Sequence, residues 1–323
     1  MKTLVILGNG FDLNIGLRTS YRHFIESEEF KSLLCNGNNY IIKTILSKFN
    51  LYNWVDIEEE LKQIAKSHKD MGAKFKSDYI EIVKALARYL TNVQDISSPQ
   101  QNTVAGNLLS LISEYPHEFD VFSFNYTDLN YLCRKLGYCG DIIFSHVHGS
   151  LDRQTIILGF EDNVDGIEEH SYMIKSFNSN YVSRHLRQKL KDAKEIIIFG
   201  HSLGSTDYQY FSEFFKSKSA TGLPMHNSVR LSIITANENS KIDLMRQLKK
   251  MNANKTNILL DQNDVRFYYT SDFNVSYSTH HLFERLRAEI LAKRVLIEES
   301  LKRDPIASNE SSDSVDSKSQ DII

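Results

Sequence analysis

The chain has 323 residues, 41% of them hydrophobic and 24% charged, and a formal net charge of −3. Such a length can bury one large core or two modest ones, and so small a charge excludes a global electrostatic funnel, so nucleic acid is not an expected partner. Its three cysteines, Cys35, Cys133 and Cys139, show no Cys-x-x-Cys spacing, which argues against a disulfide framework and a four-thiolate zinc site and makes the reducing cytoplasm the expected compartment.

In chain order, the opening run from Met1 to Gly8 is too short for a signal sequence or a membrane span, no later stretch reaches membrane length, and no membrane partner is expected. Thr3 to Leu7 reads as a strand. From Tyr21 to Glu118 no convincing strand occurs; amphipathic patterns such as 54–64 and 79–90 follow one another and predict a helical insertion. Within it Trp54, Ile57 and Leu61 stand at helical spacing and read as core.

Beyond the insertion, strands are expected at Asp120 to Phe124, Asp141 to Val147, Glu195 to Phe199, Arg230 to Thr235 and Val265 to Tyr269. Several are apolar on both faces, as strands covered by helices must be. Helical patterns alternate with them at Leu129 to Leu136, Tyr181 to Ala193, Tyr208 to Lys216, Lys241 to Met251 and about His280 to Leu301. The expectation is an α/β fold with a mainly parallel, Rossmann-like sheet of about six strands and a large helical insertion after the first strand. Residues 1–20 and 119–303 then form a nucleotide-binding domain, 21–118 a helical subdomain, and the Ser- and Asp-rich stretch 304–323 a disordered tail.

In an open parallel sheet, ligands sit outside the carboxyl ends of the strands. Four of those ends are polar: Gly8-Asn9-Gly10-Phe11-Asp12, Asn125-Tyr126-Thr127-Asp128, His146-Val147-His148-Gly149-Ser150 and Gly200 to Asp207. Gly8 and Gly10 permit close approach of backbone N–H groups to a phosphate, at the positive end of a helix beginning near Asp12. Position 13 is leucine where a dinucleotide fingerprint has glycine, and the Walker lysine is missing, so a tight turn capped by Asp12 fits equally well. An aspartate suits a phosphate site only if it faces ribose hydroxyls or caps the helix.

The amide of Asn125 can both donate and accept, which suits holding a ribose hydroxyl or a water. His148 next to Gly149 offers a neutral imidazole as proton acceptor, against the plainer reading of a structural histidine. His146 and His148, two apart, could share a metal, but no third ligand is evident and no metal is expected. In the second glycine loop Ser202, Ser205, Thr206 and Asp207 can cap a helix or bond a ligand. Without a Gly-x-Ser-x-Gly elbow, a serine hydrolase is disfavoured.

The string Ile6 to Leu13, with Gly16-Leu17 and Thr19-Ser20-Tyr21, resembles the opening signature of the AbiH family, and the likeness extends to Phe124-Asn125-Tyr126-Thr127, His146 to Gly149 and Gly200 to Gly204. The family name implies protection of a bacterial population by stopping phage propagation. More distantly, the order of these segments is similar to the sirtuin-type NAD-binding fold. Gly8-Asn9-Gly10 with Gly16-Leu17 parallels its Gly-Ala-Gly and Gly-Ile-Pro segments, Asn125 the asparagine of Thr-Gln-Asn-Ile-Asp, His148-Gly149 the pair carrying the catalytic histidine, and Gly200 to Leu203 the Gly-Thr-Ser-Leu loop.

That resemblance implies NAD as substrate or ligand, with Asn125 placing ribose or water, His148 handling the proton, and Gly8, Asn9, Gly10, Asp12, Gly149, Gly200, Ser202 and Asp207 around the nucleotide. The sirtuin zinc ribbon needs four cysteines, and Arg18 to Tyr21 replaces the Asp-Phe-Arg run, so a protein deacylase is not expected. The implied activity is NAD hydrolysis at the nicotinamide–ribose bond, set off by a phage-derived trigger, with the helical part as lid, sensor or homo-oligomer contact. The alternative is a non-catalytic sensor of NAD or ADP-ribose. For a nuclease, neither a clustered acidic triad nor a basic aromatic stripe is present.

Overall fold

The structure, a computed structural model, describes residues 2–35, 39–52, 56–68, 72–162, 164, 168–181, 184–222, 227–271 and 275–303. Trp54 and the expected tail 304–323 lie outside the described residues. Contacts divide the chain into two compact units, Met1–Thr279 and His280–Ile323.

Six strands, β1 (Thr3–Leu7), β2 (Phe119–Ser123), β3 (Phe144–His146), β4 (Glu195–Phe199), β5 (Arg230–Thr235) and β6 (Asp264–Tyr269), form one sheet in the order β3-β2-β1-β4-β5-β6. Every pairing is parallel. The central strands β1 and β4 are buried along nearly their whole length, which is why they read as unbroken apolar runs, whereas the edge strand β6 alternates in exposure. Edge strand β3 is shorter than the expected Asp141 to Val147, because it pairs on one side only, over Phe144 to His146. This strand order reverses direction between β1 and β4, and the crevice outside their carboxyl ends is the topological switch point of a doubly wound sheet.

After the short α1 (Asn9–Asn14), the segment between β1 and β2 is built of α2 (Tyr21–Ile25), α3 (Glu28–Cys35), α4 (Tyr40–Tyr52), α5 (Ile57–Ser67), α6 (Gly72–Ile96) and α7 (Val104–Glu114), with no strand among the described residues. Side-chain caps fix several of its helix starts: Ser20 accepts from His23 N, Asp56 from Glu58 N and Glu59 N, and Thr103 from Gly106 N. Ile57 and Leu61 are fully buried on α5, and Glu58 and Lys62 are buried on the same stripe. The sheet and this helical segment belong to one compact unit.

The remaining helices are α8 (Leu129–Lys135), α9 (Arg184–Asp192), α10 (Tyr208–Lys218), α11 (Glu238–Met251), α12 (Thr256–Gln262) and α13 (Val275–Arg303). A core of Ile6, Phe122, Ile198 and Ile233 from the sheet packs with Leu190 of α9, Phe211 and Phe215 of α10 and Leu248 of α11. Among the described residues no helix is long and apolar enough to cross a membrane.

Candidate active site

At the switch point the two glycine loops are pressed together. Gly8 N donates to Phe199 O and Gly10 N to Gly200 O, each at 2.9 Å. A Cβ on Gly10 would lie 2.7 Å from Gly200 Cα, and one on Gly200, whose φ is +65°, would lie 2.4 Å from Phe11 N. The glycines therefore admit backbone against backbone. Their N–H groups are taken up by the end of β4, so the expected presentation of these two amides to a phosphate is corrected. Nor does Asp12 cap the helix: the cap of α1 is Gly8, and Asp12 is buried in the first turn.

The Asp12 carboxylate is gripped from the end of β2. Asn125 Nδ2 donates to Asp12 Oδ1 at 2.7 Å and to Gly8 O at 3.0 Å, and Thr127 Oγ1 donates to Asp12 Oδ2 at 2.9 Å. The backbone of Asn125 is itself fixed, its N–H by Ser123 Oγ at 3.2 Å and its carbonyl by His146 Nδ1 at 2.9 Å. Burial pushes the Asp12 carboxyl up to about 7, because the donors Thr127, Asn125 and Thr19 offset only part of the desolvation. Among the described residues no cation pairs with it.

Across the cavity stands a second carboxylate in the opposite setting. Asp207 Oδ1 lies 2.9 Å from Lys175 Nζ and 3.2 Å from His148 Nε2, and its Oδ2 lies 3.4 Å from His201 Nε2. Burial alone would raise Asp207, but Lys175 and then His148 hold it well below the usual carboxylate range. Lys175 is fully buried and also bonds Glu58 Oε2 at 2.9 Å and Thr206 O at 3.3 Å, which ties α5 to the loop after β4. Burial raises Glu58 despite that ammonium. Burial works against the charge of Lys175 in turn, yet Asp207 and Glu58 keep it above the ordinary lysine range.

His148 Nε2 is near enough to Asp207 for attraction but off line for a hydrogen bond. Desolvation, then the positive charge of Lys175, lower His148 to about 4, so it is a neutral imidazole around pH 7. Phe124 stands edge-on to both imidazoles, with ring centroids 5.1 Å from His148 and 4.2 Å from His201. His201 Nδ1 accepts from Leu203 N at 2.9 Å. Since His146 bonds Asn125 O while His148 turns to Asp207, the two do not converge on a shared ligand.

These groups enclose a cavity of about 410 Å³, within the range of small-molecule sites. The structure brings Gly8, Asn9, Gly10, Asp12, Asn125, His148, Gly200, Ser202 and Asp207 to its walls. Gly149 is not among them. It turns the chain at φ +80°, where a Cβ would lie 1.5 Å from Thr155 O. The helical segment contributes Tyr21, Arg22, Asp56 and Glu58, and the loops add Phe124, Thr127 and His201. Glu58 left a trace in the sequence, three residues before Leu61 and seven before Ala65 on the buried stripe of α5. Lys175, in a short 3₁₀ turn (Lys175–Phe177), left none.

Fold and site together define a doubly wound α/β protein with an ionisable, ligand-sized cavity across its switch point. The family model described as Bacteriophage abortive infection AbiH matches residues 4–226, most of the chain and all the residues of the cavity, and the chain belongs to that family. Membership gives it a role in bacterial defence against phage through abortive infection. No curated protein matches the chain.

Proposed function

We propose that the chain, once triggered in an infected cell, hydrolyses NAD at the nicotinamide–ribose bond and so depletes the cofactor. The observation that carries this reading is the convergence at the switch point of Asn125 with Asp12 and of neutral His148 with Asp207. Breaking that bond releases nicotinamide as a neutral molecule and leaves positive charge on the ribose. Carboxylates held in fixed positions stabilise such charge, and the amide oxygen of Asn125 and the imidazole of His148 suit ribose hydroxyls. Asp12, Asp56, Glu58 and Asp207 against Lys175 and Arg22 give surroundings that favour the cationic nicotinamide ring.

The test is release of nicotinamide and ADP-ribose from NAD by the purified chain, with and without lysate of phage-infected cells, beside Asn125→Ala and His148→Ala. Turnover in the wild type that both variants lose supports the hydrolase and its site. A second reading, a sensor of NAD or ADP-ribose signalling through the helical segment, draws on the Lys175 bridge between Glu58 of α5 and Asp207. Ligand-induced thermal stabilisation without release in any condition selects that sensor.

A further inference from the structure

When two carboxylates in one site have environments that drive their proton affinities apart, the acid–base roles follow from the difference. Asp207 has the buried ammonium of Lys175 at 2.9 Å and stays ionised. Asp12 has neutral donors alone, Asn125 and Thr127 at 2.7 and 2.9 Å and the hydroxyl of Thr19. We infer that Asp12 is the general base of the reaction and that Asn125 positions it, an assignment that rests on the NAD-hydrolysis reading.

As the C1′–N bond breaks, its electron pair passes to the nicotinamide ring, which leaves uncharged. A water oxygen bonds to C1′, and the proton it sheds passes to Asp12, which returns it to solvent. A carboxylate accepts at about four lone-pair sites, of which Asn125, Thr127 and Thr19 take three, so acceptor capacity remains for that water. His148 is poorly placed for the role because Asp207, the group that would stabilise an imidazolium, already shares its charge with Lys175. The other titratable groups on the walls are Tyr21 and Arg22 of α2, Asp56 and Glu58 at the start of α5, Tyr126 after β2, and His148, His201 and Asp207 after β3 and β4. Among the described residues none of them makes a hydrogen bond or ion pair with Asp12, and burial places its titration at about 7, where a base for neutral conditions belongs.

The experiment compares the pH dependence of NAD turnover in wild type, Asp12→Asn and His148→Gln, together with the carboxyl carbon resonance of Asp12, assigned by its absence from the Asp12→Asn spectrum. Expected are a wild-type rate that falls on the acid side of a pH near 7, a loss of roughly 10²-fold or more in Asp12→Asn, an acid limb that persists in His148→Gln, and an Asp12 resonance that titrates over the same interval. An acid limb kept by Asp12→Asn and removed by His148→Gln overturns the inference, as does a resonance that stays ionised down to about pH 5. A wild type that turns over no NAD with any activator removes the hydrolysis reading and the base with it; the resonance then still reports whether the two carboxylates differ.

Discussion

Asn125 Nδ2 donates both to Asp12 Oδ1, at 2.7 Å, and to Gly8 O, at 3.0 Å, so one amide joins the end of β2 to the turn that leaves β1. The asparagine singled out as a ligand-gripping residue thus has its nitrogen engaged by the protein. Among the described residues no donor reaches its Oδ1, which leaves that oxygen as its ligand-facing atom.

Asn125→Ala therefore acts on Asp12 more than on Gly8 O, which keeps a bond from Phe11 N at 2.9 Å. An ionised carboxylate that loses a buried donor costs about 1–3 kcal/mol, and a protonated one less. Urea denaturation of Asn125→Ala will show the larger destabilisation at about pH 8 and the smaller at about pH 5.

Asp12 lowers stability as pH rises. Its carboxyl is raised in the folded chain from 3.8 to about 7, so between those values the folded state holds a proton that the unfolded state has released. The penalty grows across that window to roughly 4 kcal/mol and is constant above it. His148 works in the opposite sense. It is lowered from 6.5 to about 4, and it withdraws stability as pH falls through that interval. The difference between Asp12→Asn and wild type isolates the aspartate: the variant gains relative stability steadily from about pH 4 to about pH 7, as chemical denaturation across that range will read.

After burial, the charge of Lys175 is what most lowers the proton affinity of His148. Replacing it with methionine leaves Glu58 and Asp207 buried without their common cation, at a cost of roughly 3–5 kcal/mol. It also removes a positive charge that lowers His148. The imidazole resonances of His148 will titrate at a higher pH in Lys175→Met than in wild type.

The sheet was legible because its inner strands are buried on both faces: Thr3–Leu7, Glu195–Phe199 and Arg230–Thr235 stand where their short apolar, β-rich runs predict. Asn125, His148 and the loop from Gly200 could be picked out because in a parallel sheet the carboxyl ends of strands share one crevice. Lys175 could not, since it follows no strand and reaches the site only through packing of a 3₁₀ turn against α5 and the loop after β4. Gly8 and Gly10 were read as making room for a phosphate. The neighbour they admit is the backbone of Gly200 and His201, a long-range contact that local pattern cannot reveal.

Gly200→Ala tests that contact. The residue has φ +65°, and a Cβ would stand 2.4 Å from Phe11 N and 2.5 Å from Gly10 Cα, all backbone, so the loops must separate. The expected loss is more than about 2 kcal/mol. A melting temperature equal to that of the wild type would refute this account of the glycines.

The most direct measurement of the central claim is the reaction of the purified chain with NAD in water enriched in heavy oxygen, in the presence of lysate from phage-infected cells, with the products analysed by mass spectrometry. The account predicts free nicotinamide and an ADP-ribose that carries the heavy oxygen at C1′ of the nicotinamide-bearing ribose, both formed roughly 10²-fold or more slowly by Asp12→Asn. NAD left intact in every condition, or cleaved at its diphosphate, would contradict it.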